Sequence, residues 1–133
     1  MIKKAALAFS AAFILIGILG FVPALAPAGE DGMPMLLGLF MVDGLHNVIH
    51  LTSGIVALAA GLTSEKFSRL YFQIFGVVYA LVAIIGLIQG DTVLGILHVN
   101  LADNLLHVVI AASALILGFM KTSNDGNVTR VSI

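Results

Sequence analysis

The sequence predicts an all-α fold: a four-helix transmembrane bundle built from two tandem two-helix repeats, with short interfacial segments on its outer side. Three observations predict it. Of the 133 residues 60% are hydrophobic and only 10% charged, with a mean hydropathy of +1.14, the balance of a membrane protein and not of a soluble domain. Four apolar runs, at about residues 5–25, 44–62, 70–89 and 101–120, each approach the roughly 20 residues that cross a hydrocarbon layer. Two polar stretches, Asp43-Gly44-Leu45-His46-Asn47-Val48-Ile49-His50 and Asn100-Leu101-Ala102-Asp103-Asn104-Leu105-Leu106-His107, open the second and fourth runs in the same way.

Little chain remains outside the runs, so residues 1–120 are expected to be a single four-span membrane domain and residues 121–133 a polar tail. The absence of cysteine removes disulfides, thiolate nucleophiles and thiolate ligands. No basic run points to nucleic acid, and the partner that the composition does imply is the lipid bilayer. All six Lys and Arg (Lys3, Lys4, Lys66, Arg69, Lys121, Arg130) fall in the N-terminus, the middle loop or the tail, which four spans put on one side. By the positive-inside rule that side is the cytoplasm. Both termini are then cytoplasmic, and both polar stretches lie in the outer leaflet.

The first run carries Lys3, Lys4 and a small-x-small Ala24-Leu25-Ala26, but it is long for a secretory signal and reads as a span. Pro23, Pro27, Gly29, Gly32 and Pro34 break the helix into an outer loop. Residues 35–42 are apolar but too short to span, an interfacial or partly inserted segment that ends at Asp43, an N-cap candidate. The second span reaches Leu62, residues 63–69 supply the cytoplasmic hairpin, and Tyr71 sits where an interfacial anchor is expected. After Gln89-Gly90-Asp91 comes a second short apolar segment, 93–99, then the cap candidate Asn100. The tail includes an Asn127-Val128-Thr129 glycosylation pattern that the topology makes a chance match.

Setting 36–50 against 93–107 aligns Leu37 with Leu94, Gly38 with Gly95, Val42 with Val99, Asp43 with Asn100, Asn47 with Asn104 and His50 with His107. A cap, an Asn and a His at one offset indicate a two-span unit that occurs twice. Two spans per unit give both copies one orientation, related by an axis along the membrane normal, which brings the polar stretches together.

On a helix, residues four apart share a face. His46 and His50 therefore point together, as do Asp103 and His107, and the same faces continue in small residues (Ser53, Gly54, Ala57 and Gly61; Ala111, Ala114 and Gly118) that let membrane helices approach. Three readings of the enclosed set compete. The first is a hydrogen-bonded interhelical clasp of His46, Asn47, His50, Asp103, Asn104 and His107, in which Asp103 also accepts from the Asn100 backbone as in a capping box. The second is a centre for a divalent transition metal, with His46, His50, Asp103 and His107 as ligands. The third is haem, held axially by His50 and His107. His98 with Met33, Met35 and Met41 raises copper, but methionines in so apolar a chain read as packing residues. Ser53 and Ser113 have no visible activating partners.

The elements Gly44-Leu45-His46-Asn47-x-x-His50-Leu51 and Ala102-Asp103-Asn104-x-x-His107 resemble the paired signatures of domain-of-unknown-function family 4383, and the similarity runs from span one to span four. Members often carry an aromatic where this chain has Leu105. The resemblance implies a four-helix integral membrane protein of a bacterial or archaeal inner membrane, implies no reaction, and favours a shared role for the six polar residues. The reading that follows is a small polytopic membrane protein with a structural or accessory role, self-associating or bound to a larger membrane complex. The alternative is a metal- or haem-binding protein, an oxidoreductase or a metal handler.

Overall fold

A computed structural model of the chain describes residues 1–120, so the tail and its Asn127 pattern lie outside the described residues. The order is helix, hairpin, helix, twice in succession: α1 (Ile2–Leu19), β1 (Met35–Leu36), β2 (Phe40–Met41), α2 (Gly44–Thr63), α3 (Glu65–Gln89), β3 (Thr92–Val93), β4 (Leu97–His98) and α4 (Leu101–Phe119). All four helices are long and apolar enough to cross a bilayer. Their burial pattern is the inverse of a soluble protein's: Leu15, Ile55, Ile74, Leu81, Ile84 and Ile116 point outward, while His46, Asn47, His50, Asp103, Asn104 and His107 are buried. Lipid is the solvent that rewards this arrangement, and the chain is an integral membrane protein.

Three boundaries differ from the sequence reading. α1 stops at Leu19 although the apolar run continues to Leu25, because Pro23 has no N–H and its ring would meet the carbonyl four residues back, that of Leu19. The freed residues are not left unpaired: the Leu25 and Pro27 carbonyls accept from Leu37 N and Met35 N, each at 2.8 Å. The expected 63–69 loop shrinks to Ser64, and α3 starts at Glu65. The Ser64 hydroxyl accepts from Phe67 N at 3.2 Å, and the Ser68 hydroxyl donates to Ala60 O at 3.1 Å and Ser64 O at 3.0 Å. Tyr71 is not an interfacial anchor: it is buried, stacks on Phe75 with centroids 4.3 Å apart and donates to Ser53 O at 3.4 Å.

The segments 35–42 and 93–99 fold as two-residue antiparallel hairpins, pairing Leu36 with Phe40 and Val93 with Leu97. Each turns through a Leu-Gly pair at positive φ, Leu37 (54°) and Gly38 (70°) in one, Leu94 (56°) and Gly95 (71°) in the other. A leucine in the left-handed region is uncommon, and here it occurs at equivalent places in both hairpins. The first hairpin docks Leu36 and Val42 on Ala26, Ile16 and Leu19, and the second docks Val93, Leu97 and Val99 on Val82 and Ile85. Each hairpin thus seals the end of the helix before it.

α1 packs chiefly on α2 and α3 on α4, with α2 and α3 in lighter contact. The tight pairs depend on glycines without a Cβ to intrude: one at Gly54 would press on Ile14 and Ser10 of α1, and one at Gly76 on Leu115 of α4. At the end opposite the hairpins, Arg69 Nη1 donates to Met120 O at 2.7 Å and Gln73 Nε2 to Gly118 O at 3.0 Å, placing cationic and amide donors on the last carbonyls of α4. The N-terminus lies 3.9 Å from Glu65 at this same end. The two hairpins and both polar stretches therefore share the other end.

Candidate metal centre

The entry of each polar helix is set by its cap. Asp43 Oδ1 accepts from His46 N at 2.7 Å and starts α2. Asn100 and Asp103 form a reciprocal capping box on α4, with Asp103 N to Asn100 Oδ1 and Asn100 N to Asp103 Oδ2 both at 2.9 Å. These caps fix the helical register, so the side chains at the third and seventh helical positions face the bundle interior.

Each half also reaches across to the other half's hairpin. Asp103 Oδ2 accepts from Met41 N at 3.0 Å, and Asn100 Nδ2 donates to Leu39 O at 2.8 Å. In return the Nδ1–H of His46 donates to His98 O at 3.2 Å, while Asp43 Oδ2 accepts from the His98 ring Nδ1–H at 2.9 Å and from His98 N at 3.3 Å. Partial burial pushes the Asp43 carboxyl up, but the hydrogen bonds from His46 and His98 outweigh it and hold the group below its ordinary 3.8. The sequence raised His98 and Met41 only as copper ligands, and the contacts of His98 and of the Leu39 and Met41 backbones to the caps did not emerge from it. The one available signal was positional, since His98 aligns with Met41, directly before the repeated step from strand into cap.

Below the clasp, three imidazoles converge. His46, His50 and His107 are buried, and each offers a ring nitrogen within 4.8 Å of those of the other two. His46 and His50 lie 4.5 Å apart by centroid, His46 and His107 5.8 Å, His50 and His107 6.5 Å. Phe13 meets His50 edge-on at 5.6 Å, and Tyr79 meets His107 at 5.5 Å. A carbonyl only accepts, so the bond to His98 O fixes His46 as the Nδ1–H tautomer and leaves Nε2 with a free lone pair. His46 Nε2, His50 Nδ1 and His107 Nδ1 are all buried without a hydrogen-bond partner.

Asp103, expected beside them as a fourth ligand, does not join this group, because its carboxylate is drawn to the Met41 and Asn100 amides. Asn47 and Asn104 turn toward the helix that precedes each in sequence. Their amides press against Gly20 and Gly86, where any Cβ would overlap them, and Asn104 Nδ2 reaches Gly90 O at 3.5 Å. Gly20 and Gly86 are thus the seats of the two asparagines. What the arrangement offers chemically is three neutral nitrogen donors, one of them oriented by a backbone carbonyl in the manner of a metal ligand's outer shell.

No curated protein and no solved structure matches the chain. Residues 3–120, which hold both hairpins, all four helices except Ile2 of α1 and every polar residue of the candidate site, match the family described as Domain of unknown function (DUF4383), and the chain belongs to it.

Proposed function

We propose that the protein binds a first-row divalent metal ion, zinc being the best fit, through His46, His50 and His107. The observation that carries this reading is the convergence of three buried imidazoles, each of which has one buried ring nitrogen without a hydrogen-bond partner among the described residues. Each unsatisfied buried acceptor costs about 1–3 kcal/mol, and a shared cation relieves all three at once. Zinc–nitrogen bonds of about 2.0–2.1 Å put tetrahedral ligands about 3.4 Å apart. Closing from 4.8 Å needs at most about 1.4 Å, within reach of side-chain rotation. Three protein ligands leave one position open, the pattern of working rather than purely structural zinc sites. Haem has less in its favour, since the His46 ring sits 4.5 and 5.8 Å from the two candidate axial rings, in the space a macrocycle would need.

The structural reading keeps a specific observation of its own. Asp43, His98, Asn100 and Asp103 tie each half to the other half's hairpin, so the expected clasp is made mostly by residues other than those of the metal centre. The likeness of the two halves supports descent from one duplicated unit. The distribution of Lys and Arg supports both termini on the cytoplasmic side and the centre in the outer leaflet, and the bacterial cytoplasmic membrane is what the family resemblance implies. Elemental analysis of gently purified protein tests the proposal. Close to one metal per chain, lost in the His50→Ala, His107→Ala double variant, is expected; metal-free protein that takes up no added zinc would sink it.

A further inference from the structure

The three imidazoles close the inner end of a cavity of about 370 Å³ between α2 and α3. Its lips, Val48, Ile49 and Val56 on α2 and Val78 on α3, belong to the outward surface of those helices. In a bilayer that surface meets hydrocarbon, so the opening is lateral. A second cavity of about 320 Å³ shares Val56 and continues down the same two helices to Thr63 and Phe67. Among the described residues no Lys, Arg, Asp or Glu lines either space.

We infer that this crease admits a lipid-soluble quinol, its hydroxylated ring against the three histidines and its apolar chain along α2 and α3. The inference rests on the metal-centre reading, because a quinol oxygen takes the coordination position that the three histidines leave open. Four features select the occupant. The entrance selects a molecule dissolved in the bilayer, and the lack of charged side chains along the path selects a neutral one, since a charged molecule would have to shed its solvation before it reached the histidine end. The three histidines, with Thr52, Ser53 and Tyr79, are the polar residues of an otherwise apolar lining, which suits a small oxygen-bearing head on an apolar remainder. The wall beside the head is aromatic, with Phe75 and Tyr79 stacked at 5.6 Å and 28°, which suits a flat ring.

The test uses the full chain in lipid nanodiscs, loaded with redox-inert zinc and assayed for zinc before any ligand is added. A decyl-substituted benzoquinol is titrated while the melting temperature is followed, for wild type and for Val78→Phe and Ile49→Phe, one blocking side chain on each lip. A saturable rise is expected for the zinc-loaded wild type. Each variant should retain zinc yet bind at least about tenfold more weakly, as should zinc-free wild type. An equal response to 1-decanol, binding unaffected by both blocking side chains, or equal binding with and without zinc would overturn the quinol and leave the metal centre standing. So would a wild-type dimer that Val78→Phe dissociates, because a second copy would then cover the crease. A wild type that takes up no zinc is a failure of the metal centre itself, seen at the first step, and removes the inference with it.

Discussion

The half made of α1, the first hairpin and α2 and the half made of α3, the second hairpin and α4 use one plan with a single telling change. Both turn their hairpins through Leu-Gly at positive φ, seat an Asn against a Gly of the preceding helix, and point a His into the bundle seven residues beyond the cap. They part at the third helical position, His46 in one and Asp103 in the other. Both side chains engage the same place on the opposite hairpin, where a backbone residue offers a carbonyl and an amide together. His46 donates to the carbonyl of His98, and Asp103 accepts from the amide of Met41. The aspartate's bonded oxygen is absorbed by backbone amides, whereas the imidazole has a second nitrogen left over, inside the bundle. The asymmetry thereby places a third imidazole beside the pair that the two halves share.

Making the halves alike should have the largest effect. His46→Asp keeps a polar group at the hairpin but removes the third nitrogen, and it should weaken zinc binding at least about 100-fold, as should His50→Ala or His107→Ala. Competition against a chelator of known affinity measures this. Undiminished binding in His46→Asp would show that the shared pair suffices and that the asymmetry is incidental. Asp103→Ala, in contrast, strips a partner from two backbone donors and should cost about 2–4 kcal/mol of stability in a thermal or denaturant melt, with zinc content unchanged. Loss of zinc without loss of stability would reverse the assignment and return Asp103 to the ligand set.

The glycine seats test the likeness directly. A methyl group at Gly20 or Gly86 overlaps the facing Asn amide, so Gly20→Ala and Gly86→Ala should each destabilise by about 1–3 kcal/mol. Because both glycines meet their asparagines in the same way, the two penalties should agree to within about 1 kcal/mol. A large inequality would mean that the halves pack differently despite their matched sequence.

The four helices were legible in the sequence because apolar length is a property of the chain alone, and the caps because Asp43 and Asn100 act on amides three residues away. His46 and His50 were legible as partners for the same reason, being one turn apart. Two things were not. The ends of α1 and α3 depend on a proline clash with a carbonyl four residues back and on a serine that serves two helices, neither of which hydropathy registers. The separation of Asp103 from the histidines is a long-range matter: nothing near it in sequence says that the Met41 amide, folded over from the other half, will claim its carboxylate. His98 was raised only as a copper ligand with the methionines, because its contacts to Asp43 and His46 join strand to helix across the bundle and leave no periodic trace.

The smallest expected effect concerns the caps, another position at which the halves differ. Asp43 caps α2 through one oxygen and holds His98 through the other, on a partly exposed edge where such pairs contribute about 0–1 kcal/mol. Asn100, its counterpart, caps through Oδ1 and sends its amide to Leu39 O. In Asp43→Asn the amide should turn to the equivalent carbonyl, that of Ile96, so that one cross-hairpin bond replaces another. The cost should be a few tenths of a kcal/mol, against about 1 kcal/mol for Asp43→Ala, which loses cap and cross-bond together. Paired melts of the two variants check this. If Asn proved as damaging as Ala, the first half would need the carboxylate itself to hold His98, and with it the carbonyl that orients His46. The cap would then belong to the metal centre's support and not merely to the start of a helix.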